Sequence, residues 1–314
     1  WLVDRLNRQA AAEDADLVLL DPAFPLGALG PHLDRPYGVI LHGAEVTIPG
    51  RLPLSRQLLR RTLRGASLVI AAGSYPLAEA ERCAGRKLPA VVIPPGVDHR
   101  RFRPLSADRR LEARWRLGIA DGDFVVATVN RLVPRKGIDV LVRAVARLEA
   151  DRGSPSTRAV VGGTGRHRRK LRRLAEALGA PVELPGRLSD DEVVSLYGAA
   201  DAMAMLCHDR WFGLEQEGFG IVFLEAAAVG LPQVAGRSGG AHEAVKDGVT
   251  GIVVDDPRDV GAVASALRRL RDDAELRQRM GLAARERVLD AFDYDRLARR
   301  LGEAIAATAT TTSP

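Results

Sequence analysis

The chain has 314 residues, 46% of them hydrophobic and 27% charged, with a formal net charge of +6 and two cysteines. That is apolar material for about two domains of roughly 100 to 200 residues each. The longest apolar runs, SLVIAA (67–72) and DLVLL (16–20), fall short of the ~18 residues of a membrane span, and no charged-then-apolar leader precedes them. Cys83 and Cys207 stand too far apart for a zinc spacing or a disulfide framework, and read as small buried hydrophobes in a reducing cytoplasm. The positive excess, mostly arginine, suits an anionic partner: nucleotide phosphate, acidic lipid or nucleic acid.

In chain order, WLVDRLNRQAAAEDA predicts a helix that runs into the strand DLVLL. An opening of this kind, on Trp1, reads as the middle of a domain. YGVIL (37–41), SLVIAA and AVVIP (90–94) follow, separated by amphipathic or loop segments, and the alternation predicts a parallel sheet with helices on its faces. No Gly-rich loop follows the first strand, so this domain is expected to lack its N-terminal β-α units. Between the second and third strands, RLPLSRQLLRRTLR (51–64) sets Leu54, Leu58, Leu59 and Leu63 on one helical side and Arg56, Arg60, Arg61 and Arg64 around the other. No acid occurs between Val46 and Ala78. The segment reads either as an ordinary surface helix with an apolar inner face or as a helix lying on an anionic membrane.

PPGVDHRRFRPLSADRR (94–110) breaks the pattern and is expected to link the domains, closing an incomplete N-terminal domain at residues 1–110. FVVATVN (124–130), AVVGG (159–163), PVELPG (181–186), DAMAMLC (201–207), PQVAG (232–236) and TGIVV (250–254) then alternate with helix-compatible stretches, which predicts a complete doubly wound domain over 111–290. Residues 291–314 are expected to form a helix packing back toward the first domain, with the small polar tail ATATTTSP (307–314) frayed.

Within the second domain, EGFGIVFLE places Glu217 and Glu225 around a Gly-x-Gly turn. Gly218 and Gly220 allow close backbone approach, and IVFLEAAAV predicts a helix stopped by Gly230 and Pro232. A helix start of that kind presents N–H groups and about half a positive charge to an anion. Glu225, between Leu224 and three alanines, needs donors near it if it is buried, and the two hydroxyls of a ribose would supply them. The plainer reading, acids favoured at a helix start, accounts for Glu217 better than for Glu225. In NRLVPRKG (130–137), Arg131 ends a strand and Lys136 opens the next helix. Singly each reads as a solvated charge; beside an anion-binding turn they read as diphosphate contacts.

Other signals are weaker. DGD (Asp121, Asp123) reads as a turn before a strand and DYD (Asp293, Asp295) as a helix cap rather than as metal sites. His99, His167, His208 and His242 are isolated, GGTGRHRRK lacks the Gly-Lys-Ser/Thr of a Walker loop, and the basic run GRHRRKLRR (165–173) reads as a solvated helix face. A nicotinamide-dependent oxidoreductase would need a G-x-G-x-x-G turn after its first strand, which is absent.

Taken together, the motifs resemble the retaining glycosyltransferases of family four: a Glu-x7-Glu pair (Glu217, Glu225), an Arg-x4-Lys pair (Arg131, Lys136), HGAE (42–45), IPPGVDHRRFRP (93–104), GGTG (162–165), LPGRLSDDE (184–192) and RSGGAHEAV (237–245). VPRKG with EGFGIVFLEA is most similar to GDP-mannose-dependent phosphatidylinositol mannosyltransferases of actinobacteria. The resemblance implies an α/β GT-B fold, two Rossmann-like domains with a cleft between them, and transfer of a hexose, mannose first, to a lipid or small-molecule acceptor with retention. It implies GDP-mannose as donor, with a UDP-sugar as the other possibility, no metal and no further cofactor. By motif, Arg131 and Lys136 would neutralise the diphosphate and Glu225 would hold the ribose. Glu217 with Gly218, Phe219, Gly220 and Ile221 would hold sugar hydroxyls and phosphates. Gly163, Arg187 and Leu188 would lie beside the nucleoside, and His42 would approach the donor sugar from across the cleft. A cytoplasmic enzyme, peripheral at the inner face of the plasma membrane and without nucleic-acid partners, is expected. The alternative is a truncated, non-catalytic nucleotide-binding module of the same fold.

Overall fold

The computed structural model describes residues 1–151 and 154–312; Ser313 and Pro314, the end of the tail expected to fray, lie outside the described residues. In chain order the elements are α1 (Leu2–Ala12), β1 (Val18–Leu20), β2 (Tyr37–Leu41), α2 (Ala44–Arg51), α3 (Pro53–Gly65), β3 (Leu68–Ala71), α4 (Ser74–Ala84) and β4 (Ala90–Val92). There follow α5 (Ala107–Arg116), β5 (Phe124–Val129), α6 (Ile138–Glu149), β6 (Thr157–Gly162), α7 (Arg168–Leu178), β7 (Val182–Gly186), α8 (Asp190–Ala199) and β8 (Ala202–Met205). The chain ends through α9 (Ile221–Val229), β9 (Gln233–Gly236), α10 (Ala241–Ala244), β10 (Gly251–Val254), α11 (Val260–Asp272), α12 (Ala274–Ala291) and α13 (Tyr294–Thr312). Every strand foreseen from the β-branched runs is present.

Two compact units result. The first comprises residues 1–95, 211–219 and 294–314, the second residues 96–210 and 220–293. In the first, four parallel strands lie in the order β1-β2-β3-β4. Val39, Leu41, Val69 and Ala71 of this sheet share a core with Leu59 and Leu63 of α3 and Ala80 and Cys83 of α4. The C-terminal α13 belongs to this unit, where Arg300 Nη2 donates to the Val92 carbonyl at 3.1 Å.

In the second unit six parallel strands run in the order β10-β9-β8-β5-β6-β7. Strands β5 and β6 are almost wholly buried, as their unbroken Val and Ala runs require of a parallel sheet covered on both faces. Helix α6 turns Leu141, Val145 and Leu148 onto this core, which Val263, Leu267 and Leu270 of α11 complete. Local chemistry sets the helix starts. Ser106 accepts from Arg109 N to begin α5, and α8 opens with a reciprocal capping box between Ser189 and Glu192.

Residues 96–110, expected to close the first domain as a link, sit instead in the second unit. The reason is a buried polar anchor that composition does not show. Arg110 Nη1 donates to the Gly198 and Ala200 carbonyls, both at 2.7 Å, and its Nη2 pairs with Asp201 Oδ1 at 2.7 Å. Arg114, buried, donates to the carbonyls of Ala199, Ala120 and Asp123 and pairs with Asp201 Oδ2 at 3.3 Å. Asp201 Oδ2 in turn accepts from Val125 N at 2.8 Å, so one carboxylate ties α5 to the head of β5. Removing the buried guanidinium takes one cation from the mostly buried Asp201, which keeps Arg110, and leaves the carbonyls of Ala199, Ala120 and Asp123 without their donor. Arg114→Ala is expected to cost about 3–5 kcal/mol of stability, read as a lowered urea midpoint at unchanged m-value; a loss within experimental error would show that α5 is held by apolar packing alone.

Candidate functional site

In the second unit, loops from three strand ends and the start of α9 enclose a cavity of about 510 Å³. Val129, Asn130 and Arg131 come from the end of β5, Gly163 and Thr164 from β6, Arg187 and Leu188 from β7, and Val222 and Glu225 from α9. Arg101 and Phe102, ahead of α5, and Asp190 and Val193 of α8 close the remaining wall. This is the carboxyl edge of the sheet beside β5, whose neighbours are β6 and β8, where open α/β sheets hold their ligands. A larger hollow of about 740 Å³ lies among α5, α8 and the faces of β6 and β7. It reaches neither the end of β5 nor α9 and Glu225, so the smaller cavity is the candidate site.

The loop geometry is specific to these residues. Gly163 has φ +114°, and a Cβ there would come within 2.0 Å of the Asn130 carbonyl oxygen, so only glycine lets the β5 and β6 ends meet. Asn130 Nδ2 donates to Thr128 Oγ1 at 2.9 Å, while its buried Oδ1 has no hydrogen-bond partner among the described residues. Helix α9 starts from Gly220 with no side-chain cap, so its N-terminal amides and dipole are open to an anion.

Glu225, in the second turn of α9, is the more enclosed of the two carboxylates lining this cavity, the other being the exposed Asp190. Burial pushes the Glu225 carboxyl above the ordinary range, opposed by the nearby positive charge of Arg101. Tyr197, fully buried, is raised well above the usual phenol range, first by burial and then by the Glu225 charge. Arg101 is held at 3.0 Å by Asp190 of α8.

The structure therefore brings Arg131, Gly163, Arg187, Leu188 and Glu225 to one hollow. Lys136 is outside its lining: it ends a 3₁₀ turn before α6, buried, with Nζ 3.3 Å from Met205 Sδ. Gly220 is the α9 N-cap, packed against Phe223 and Met205, and Ile221 is exposed. Glu217, Gly218 and Phe219, expected in the nucleotide domain, fall in the first unit, as does His42. There Glu217 and Phe219 are buried, and a Cβ on Gly218 would come within 2.5 Å of the His42 carbonyl oxygen. His42 Nε2 lies 2.8 Å from Asp21 Oδ1, and Glu45 Oε1 accepts from the amides of His42 at 2.6 Å and Gly43 at 3.0 Å. Asp123 pairs with Arg158 at 3.4 Å and Asp293 with His99 at 3.1 Å. Arg101, Asn130 and Asp190 were missed by sequence reasoning; Arg101 lies in the singled-out IPPGVDHRRFRP stretch, but nothing in the sequence marks it out from Arg100 and Arg103 beside it.

The family of glycosyl transferases group 1 matches residues 109–287, which include most of this cavity. The chain belongs to that family. It is 38% identical over 309 residues to the GDP-mannose-dependent alpha-(1-6)-phosphatidylinositol monomannoside mannosyltransferase of Mycolicibacterium smegmatis, covering 96% of this chain and 79% of the relative. The corresponding monoacylated-acceptor enzyme of Corynebacterium glutamicum is 37% identical over 260 residues, covering 83% of this chain and 67% of that one. Among solved structures, HepE of Anabaena in complex with UDP superposes with a TM-score of 0.83 at 25% identity, over 98% of this chain and 82% of the other. The glycosyltransferase thus has the GT-B fold, with two Rossmann-like sheets.

The raised Glu225 carboxyl has a stability consequence in the ligand-free glycosyltransferase. Its folded pKa exceeds the unfolded value of about 4.3, so its contribution is full below that pH and is lost as pH rises through the folded pKa. Glu225→Gln is expected to lack this loss. Chemical denaturation of both proteins from pH 4 to 8 should show the variant gaining on the wild type as pH rises; parallel curves would place Glu225 in contact with water.

Proposed function

We propose that this glycosyltransferase moves a mannosyl group from GDP-mannose to a phosphatidylinositol-type lipid acceptor with retention of configuration. The observation that carries the donor half is the cavity itself, in which the partly buried Glu225 carboxylate, the Arg131 cation and the uncapped start of α9 line one space. A nucleoside diphosphate matches all three. Its ribose hydroxyls donate to Glu225, and its phosphates meet the α9 amides and Arg131. The identity to mannosyltransferases over almost the whole chain supports mannose and a lipid acceptor.

In this reading the bond from the sugar C1 to the diphosphate oxygen breaks, and the departing oxygens gain charge that Arg131, Lys136 and the α9 dipole stabilise without a metal. The acceptor hydroxyl attacks C1 on the face the diphosphate leaves and gives its proton to a departing phosphate oxygen. Products are the glycoside and GDP. No protein nucleophile is needed. Lys136→Ala should lower transfer from GDP-mannose by about thirtyfold to several thousandfold, the equivalent of ~2–5 kcal/mol for a buried charge contact, with chelator present throughout. Unchanged turnover removes Lys136 from the mechanism, and calorimetric binding of UDP in preference to GDP would replace the donor.

We further propose that the first unit rests on the anionic membrane that carries the acceptor. Helix α3 supports this because only half of its leucine side is used inward. Leu59 and Leu63 are fully buried, whereas Leu54 is 83% and Leu58 53% exposed beside the exposed Arg56, Arg60 and Arg61. The exposed pair leaves an apolar edge beside a basic one, the arrangement an interfacial helix presents to an anionic surface. Among the described residues no helix is long and apolar enough to cross a membrane, so any attachment through α3 is interfacial. Replacing Arg56, Arg60 and Arg61 with Gln should weaken binding to phosphatidylglycerol vesicles by about 1 kcal/mol per charge, an effect that high salt erases; equal sedimentation with wild type would rule out this surface.

A further inference from the structure

The segment from Trp211 to Phe219 belongs to the first unit, and its opening turn is conformationally unusual. Trp211 has φ +50°, Phe212 φ +55° and Gly213 φ +80°, three successive residues in the left-handed region. Side chains with a Cβ, bulky aromatic ones above all, rarely adopt it. The turn closes through Leu214 N, which donates to the Trp211 carbonyl at 3.1 Å. It also presents its rings to water: Phe212 is fully exposed and Trp211 59% exposed. Large aromatic side chains held outward on a strained backbone are a costly arrangement for a surface with no partner.

Arg51 is one residue that fastens the turn. Arg51, the last residue of α2, donates from Nη1 to the Phe212 carbonyl at 2.7 Å, and its Nη2 lies 3.7 Å from Glu79 Oε2. Glu79 is mostly buried and also takes Arg82 at 2.6 Å. Arg51 is flanked in sequence by Ile48, Leu52 and Leu54, all exposed, at the corner from which α3 begins. The aromatic turn is thus tied beside the same apolar and arginine-rich corner that the membrane reading uses.

We infer that Trp211 and Phe212 form an interfacial wedge that enters the acyl boundary of an anionic bilayer next to the α3 arginines. This rests on the membrane reading of α3. Two weak signals are needed for stable attachment, since charge alone is screened by salt and a single apolar element binds marginally. The arginines supply the first and the rings the second, at the depth where Trp and Phe side chains gain both apolar burial and a polar interface. Charge selects the occupant. A second copy of the chain would bring the same acid-free stretch from Val46 to Ala78 against itself, a like-charge contact that an anionic lipid surface does not suffer.

The test uses the full chain with Trp1→Phe and Trp115→Phe, leaving Trp211 as the sole tryptophan, and phosphatidylglycerol-containing vesicles with brominated acyl chains. Quenching and a blue shift of Trp211 on binding are expected. Phe212→Gly removes the ring where glycine prefers the backbone conformation, so the turn and fold are retained, and vesicle affinity should fall about tenfold. If vesicles bind but Trp211 is unquenched and Phe212→Gly binds equally well, the wedge is wrong while the α3 surface stands. If wild type does not bind vesicles, both are rejected. If Phe212→Gly instead abolishes self-association seen by gel filtration, the rings cover a second copy and the proposal falls.

Discussion

Strand β5 lies between β6 and β8, and the connections that leave its two sides run in opposite directions across the sheet. Right-handed crossovers then place helices on opposite faces, and a crevice opens at the carboxyl edge where the two directions part. Everything proposed for the donor follows from that opening. The ends of β5, β6 and β7 supply its loops, and α9 supplies an uncapped N-terminus beside them. Gly163 lets the β5 and β6 ends come together beneath the crevice, since any Cβ would collide with the Asn130 carbonyl.

Into this opening the fold puts a carboxylate whose charge is disfavoured by burial and only partly favoured by Arg101. Such a group is poised for a ligand with hydroxyl donors, and the ligand-free protein carries the cost. Arg101 is itself tethered by an exposed Asp190, so the cation beside Glu225 is held on a partner that a phosphate could displace.

Much of the fold was legible because parallel sheets write themselves plainly. Runs such as FVVATV and AVVGG, apolar without alternation, could be satisfied only between two layers of helices. The Glu225 reading was legible for a similar reason: an acid among alanines in a helix that must pack. The placement of residues 96–110 was not, because Arg110 and Arg114 look like surface charges until Asp201 is found opposite them. Arg101 and Asn130 were equally silent, being ordinary polar residues whose role comes from what lies across the cavity. The exposed half of the α3 leucine face could not be decided from periodicity, which fixes a side of a helix but not how far its neighbours extend.

By itself, then, the sequence determined the strand and helix order, the glycines that permit the turns, and which acids and bases stand near strand ends. These follow from backbone sterics and side-chain periodicity, which act over a few residues. Only tertiary structure decided that Arg131, Arg187 and Glu225 share one hollow, that residues 211–219 keep company with the first sheet, and that Leu54, Leu58 and Phe212 remain in solvent. Those outcomes depend on distances between segments far apart in the chain, set by sheet order and by buried ion pairs that no local pattern encodes.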